Sequence, residues 1–213
     1  MADDRRKFLR RTIGGVAAFA VADASALGAA TPHLAADDPW LAAIAGKKHK
    51  TFMDVMHFFP DGTPFRRAKN LLNVLHENYG APENEIGVVL GMHGRGLAHA
   101  VQQSVWDDLG LVEWMAPQLS PAEAAALKSG AGTFAAANAA SIAEMRSRGV
   151  RVLGCRETIG RWAQRIATAK GEPVAAVSER IVRGLHEGVE QVPAMVAAAV
   201  LAQARGAGYV ALA

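Results

Sequence analysis

Val150-Arg151-Val152-Leu153-Gly154-Cys155 runs into Arg156-Glu157-Thr158-Ile159-Gly160-Arg161-Trp162, and this stretch holds both halves of a strand–helix unit. The first six residues are mostly apolar, rich in valine and of strand length. From Ile159 the pattern changes: Ile159, Trp162, Ala163 and Ile166 recur at spacings of three and four, which is one face of a helix. A buried strand that leads straight into a helix is the building block of a parallel sheet.

The same alternation extends outward in both directions. Upstream, Thr51 to Phe58 reads as a first strand, broken by Pro60-Asp61-Gly62. Thr63-Pro64 opens a helix whose apolar face is Ala68, Leu71, Leu72, Leu75 and Tyr79. Ile86 to Leu90 is a second strand, followed by the glycine-rich turn Gly91-Met92-His93-Gly94-Arg95-Gly96. Ser120-Pro121-Ala122-Glu123 is a capping box, and a helix is expected from about Phe134 to Arg148. Downstream, Val174, Val177, Ile181 and Leu185 mark another helix. Val189 to Val192 is a fourth strand, Pro193 opens a helix to about Arg205, and Tyr209 to Leu212 is a fifth strand. The expected architecture is a single α/β domain over residues 49–213, with about five mostly parallel strands and helices on both faces.

The N-terminus carries a different message. Arg5-Arg6-Lys7-Phe8-Leu9 resembles the twin-arginine signal of bacterial export, and a short Gly/Ala-rich apolar run follows from Ile13 to Val21. Residues 1–26 are therefore expected to be a signal peptide, cleaved between Ala24 and Ala30. Residues 27–48 are expected to be a linker. This predicts a periplasmic protein that meets the twin-arginine translocase during export and keeps no stable membrane anchor. The chain has 23 Lys+Arg and 20 Asp+Glu, but five of those bases and three of those acids lie in residues 1–26. The rest is nearly neutral and has no basic patch interleaved with aromatics, so nucleic acid is a poor partner.

Chemistry concentrates at the ends of the expected strands. His57 ends the first, His93 follows the second and Cys155 ends the third. In open α/β sheets ligands bind beyond the carboxyl ends of the strands, so these side chains share one candidate crevice. Cys155 is the only cysteine, which excludes an intramolecular disulfide and a Cys-x-x-Cys pair. At a helix N-terminus, beside Arg156, its thiolate is favoured; as a small buried hydrophobe it has no chemistry. The amides around Gly94 suit an anion, although a tight turn explains the glycines equally. His93 and His99 lie six apart across that turn, which is not a strong ligand spacing, so no metal is expected. No dinucleotide fingerprint is present and no cofactor is expected. His76 and His186 read as surface residues.

Several of these residues also carry a resemblance. The helix ending in Arg148-Gly149-Val150, the strand ending at Cys155, and Thr158 resemble the DsrE/DsrF-like family of small sulfur-relay proteins, particularly its exported branch. So do Val192-Pro193-Ala194-Met195-Val196, the stretch from Gln203 to Tyr209, the Leu90-to-Gly94 turn and Asn70-Leu71-Leu72. The resemblance implies a five-stranded, mostly parallel sheet, a homo-oligomer, and a cysteine at position 155 that carries sulfur as a persulfide. It points to a sulfur-carrying or small-molecule partner. Glu157, where members often have Asn, and a longer stretch from Gly110 to Thr133 depart from the family pattern. A non-enzymatic periplasmic binding module for a small ligand or soft metal ion is the competing expectation.

Overall fold

Five strands make one sheet: β1 (His49–Val55), β2 (Ile86–Met92), β3 (Arg151–Cys155), β4 (Val189–Val192) and β5 (Gly208–Leu212). The computed structural model describes residues 38–130 and 133–212. The strand order is β4-β3-β2-β1-β5, and every neighbouring pair is parallel. β1 to β4 step outward in one direction, and the last connection returns to the far side of β1. A return in the opposite direction keeps the preferred crossover hand only if its helix lies on the opposite face. The packing follows that rule.

One face carries α2 (Thr63–Asn73), α3 (Gln103–Leu109), α4 (Leu111–Met115), α5 (Pro121–Ser129), α6 (Phe134–Ser147), α7 (Arg156–Lys170) and α8 (Val174–Arg183). Their apolar stripes meet Met53, Val55, Val88, Leu90, Met92 and Val152. The other face carries α1 (Pro39–Ala45) and α9 (Met195–Ala204), packed on Phe52, Val89, Leu153 and Cys155. Strand side chains alternate between the two faces. The strands are apolar on both, as a parallel sheet covered on both sides requires.

Most of the expected elements are present. The capping box is complete: the Glu123 N–H donates to Ser120 Oγ at 3.4 Å, and the Ser120 N–H donates to Glu123 Oε2 at 2.9 Å. Three expectations need correction. Residues 39–45 of the expected linker form α1 and bury Trp40, Leu41 and Ile44. Pro39 starts that helix, where its missing N–H costs nothing. The strand expected through Phe58 stops at Val55, because the chain leaving β2 crosses its end. The His93 N–H donates to Val55 O and the Gly96 N–H to Met56 O. His186 is buried, its backbone N–H held by Ala100 O. The expected signal peptide lies outside the described residues. Among those described, no helix is long and apolar enough to cross a membrane.

Candidate functional site

Asp54 interrupts the apolar run of β1, and it is 8% exposed. It sits on the α9 face, paired in register with Gly91 of β2. His93 lies two residues beyond Gly91 on that same face. Its backbone is still extended, at φ −147° and ψ −179°. His93 Nε2 is 2.7 Å from Asp54 Oδ1. From the other side, the Tyr209 hydroxyl of β5 donates to Asp54 Oδ2 at 2.5 Å. The Tyr209 ring stacks on Phe52, with centroids 6.4 Å apart. Burial opposes ionisation of Asp54, but the hydrogen bonds from His93 and Tyr209 and the His93 charge outweigh it. Asp54 is held below the usual carboxylate range. The same hydrogen bond pushes the Tyr209 phenol up to about 12, with burial and the Asp54 charge adding to it.

Cys155 ends β3 and is the residue before the first turn of α7, at φ −81° and ψ 115°. It is 1% exposed and packs with Leu153, Val192 and Met195. The ladder's last pair is Met92 with Gly154, and His93 and Cys155 are the residues that follow them. Both belong to the α9 face by strand alternation. The Glu157 N–H at the start of α7 donates to Pro193 O. Thr158 is buried, and its Oγ1 accepts the Gly94 N–H at 3.2 Å.

That last bond corrects the reading of Gly94 as an anion-binding residue. The His93, Gly94 and Gly96 amides are all engaged within the protein. The glycines serve close packing instead. A Cβ at Gly94 would lie 2.9 Å from Met56 O, with φ at +54°, and one at Gly96 would lie 2.1 Å from Val55 O. His57 does not join the Asp54–His93 group. Its Nδ1 accepts from Arg95 Nη2 at 2.5 Å, while Arg95 Nη1 donates to Gln118 O at 3.0 Å. Arg156 is exposed at the start of α7. Arg161 pairs with Glu157 across one helical turn, at 3.6 Å.

The sequence reading missed Asp54, Tyr209 and Arg95. Asp54 had a detectable signal, because a lone acid inside an apolar strand needs a buried partner. Tyr209 and Arg95 had none, since their roles depend on the β1–β5 pairing and on the path of the turn. His99, considered beside His93, points into the core, where its ring stacks on Phe58 at 4.8 Å. Among the described residues, no three His, Cys, Asp or Glu side chains are placed to hold a metal ion together.

No protein-family model and no curated protein matches the chain. Among solved structures, a protein of unknown function from Methanobacterium thermoautotrophicum is similar at 14% identity. The match covers 76% of this chain and 98% of that one, with a TM-score of 0.44.

Proposed function

We propose that this protein is an exported, DsrE-like sulfur-handling protein that binds or transfers a sulfur-containing group through Cys155. The observation that carries the reading is the position of Cys155. It stands at the carboxyl end of an interior parallel strand, before a helix N-terminus, on the sheet face that also carries His93 and the buried Asp54. Ligands of open α/β sheets bind at that edge, and helix N-termini favour a thiolate. Export rests on the Arg5-Arg6 motif and the apolar run behind it. Retention of an Arg5→Lys, Arg6→Lys precursor in the cytoplasm is the expected result, and unchanged export removes that part of the reading.

The chemistry is tested with inorganic polysulfide and the mature protein. The Cys155 thiolate attacks a sulfane sulfur. A new S–S bond forms, the next S–S bond of the chain breaks, and a shorter polysulfide leaves with the electron pair. Intact mass spectrometry should show a gain of about 32 Da, one sulfur atom, reversed by thiol reductant and absent from Cys155→Ser. A folded protein that gains nothing, while its denatured form does, overturns the reading.

The burial of Cys155 favours a second reading, a binding module in which the thiol only packs. On that reading the same experiment gives no adduct on the folded chain.

A further inference from the structure

Across four neighbouring strands one chemically ordered row of side chains climbs toward the carboxyl edge of the sheet. Read across β3, β2, β1 and β5, the row is Cys155, His93, Asp54 and Tyr209. All four lie on the α9 face. The row climbs diagonally. Tyr209 pairs in register with Phe52, two residues before Asp54, and Asp54 pairs with Gly91, two residues before His93. The β2–β3 ladder closes at Met92 and Gly154, and His93 and Cys155 are the residues that follow them on the same face. Adjacent strands are about 4.8 Å apart, a separation that ordinary side chains can span. Two of the three links are direct contacts, Tyr209 to Asp54 and Asp54 to His93.

We propose that this row is a nucleophile–base relay in which His93 takes the proton of Cys155 and Asp54 and Tyr209 act as positioning residues. The proposal deepens the sulfur-transfer reading and rests on it. A nucleophile, an adjacent base and a third group orienting the base form the recurring signature of activated thiols and hydroxyls. Here His93 Nε2 faces Asp54, which leaves Nδ1 as the acceptor. The proton moves from Cys155 Sγ to His93 Nδ1, and the thiolate then attacks its sulfur electrophile.

Two features of the site fit this assignment. Gly91 lies between Asp54 and His93 in the diagonal and has no side chain to separate them. A Cβ there would meet Met195 Sδ and Phe52 Cζ, both at 2.6 Å. The charged and titratable groups around Cys155 are few. The residue after β2 is His93, β1 supplies Asp54 and β5 Tyr209, while the first turn of α7 supplies Arg156 and Glu157. α9, packed over the same face, contains no charged residue. The Asp54–His93 pair is therefore the polar contact built for this edge.

The test is the pH dependence of Cys155 modification by methyl methanethiosulfonate in the folded mature protein. The thiolate displaces methanesulfinate and forms a mixed disulfide, with no external oxidant. Wild type should show a low-pH limb of reactivity that the denatured chain lacks. Asp54→Asn should remove that limb and slow modification at neutral pH by about tenfold or more. His93→Asn should do the same, and Tyr209→Phe, which keeps the ring on Phe52, should have a smaller effect in the same direction. Circular dichroism and the Cys155 rate in denaturant show that each variant folds and that its thiol is intact. A wild type that stays unmodified while folded overturns the sulfur-transfer reading and the relay with it. A reactive wild type with an unchanged profile in Asp54→Asn overturns the relay alone.

Discussion

A single buried ring decides how the aromatic core tolerates acid. His99 is 1% exposed, and its Nε2 accepts the Phe59 N–H at 3.1 Å. The proton of the neutral ring therefore sits on Nδ1, facing Asn138 Oδ1 at 3.4 Å. Phe58 stacks on the ring and Phe65 meets it edge-on at 5.7 Å. A charged imidazolium is poorly solvated there, so burial lowers the pKa from 6.5 to about 4, against a partial opposing effect of Asn138. The unfolded chain thus binds a proton that the folded one refuses between those values. Stability contributed by neutral His99 is complete above pH 6.5 and is lost as the pH falls toward 4, by about 3 kcal/mol over the window. Burial lowers His186 in the same direction, so it adds a slope of the same sign. Urea unfolding of wild type and His99→Gln at several pH values from 7 to 4 checks this. The variant should show the shallower slope, and equal slopes would sink the assignment. The sequence made His99 visible as a residue that bonds or binds, but not which. That choice depended on Phe58 and Phe65 arriving from another element.

At the level of elements, glycines set how closely the chain can cross itself. Gly96 lies against the backbone of β1, and Gly160 lies in α7 with nothing within 4 Å of a built Cβ. The two therefore respond oppositely to alanine. Gly96→Ala forces a backbone shift and should cost about 2 kcal/mol or more. Gly160→Ala gains helix propensity and should stabilise by about 0.5–1 kcal/mol. Thermal unfolding of the two variants beside wild type should move in opposite directions; a neutral Gly96→Ala would mean that the turn does not press on β1 as described. This contrast was only half legible from sequence. The glycine run announced a turn, but its close approach to Val55 and Met56 was not encoded locally. Elements with strong periodicity, such as β3, α7 and α8, were legible for the same reason that they are stable. Their apolar stripes face one core and need no distant partner to be recognised. α1 was not, because Ala-rich sequence around two prolines carries little periodic signal. Its burial comes from Trp40, Leu41 and Ile44 meeting the sheet. The run from Leu97 to Leu119 breaks into short pieces, Gly94–Ala100, α3 and α4, separated by Gly110 at φ +63°. No single period survives there to be read.

At the scale of the whole molecule, the return connection from β4 to β5 leaves an unusual surface. α9, Met195–Ala204, covers the β1–β2 side of the sheet with Met195, Ala198, Ala199 and Ala202. Its outer face is also apolar, with Val196 73% and Val200 58% exposed. A helix apolar all round belongs in an interior, and contiguous exposed apolar surface marks an interaction site. β5 lies at the end of the sheet, bonded only to β1, and it adds the partly exposed Tyr209 to the α9 face. We propose that a second copy of the chain covers α9, which gives the expected homo-oligomer a location. Burying Val196 and Val200 is worth roughly 1–2 kcal/mol each on each subunit. A Val196→Glu, Val200→Lys double variant should therefore dissociate while keeping its fold, since neither side chain enters the core. Light scattering at micromolar concentration checks the point. Wild type should have a multiple of the protomer mass and the double variant the protomer mass itself. A monomeric wild type removes self-association. An oligomer of unchanged mass in the folded variant moves the interface away from α9. Tyr209 connects this surface to the row at the sheet edge. If the subunits meet over α9, they also narrow the approach to Asp54 and His93. The dissociated variant should then react with the methanethiosulfonate at Cys155 faster than the wild-type assembly.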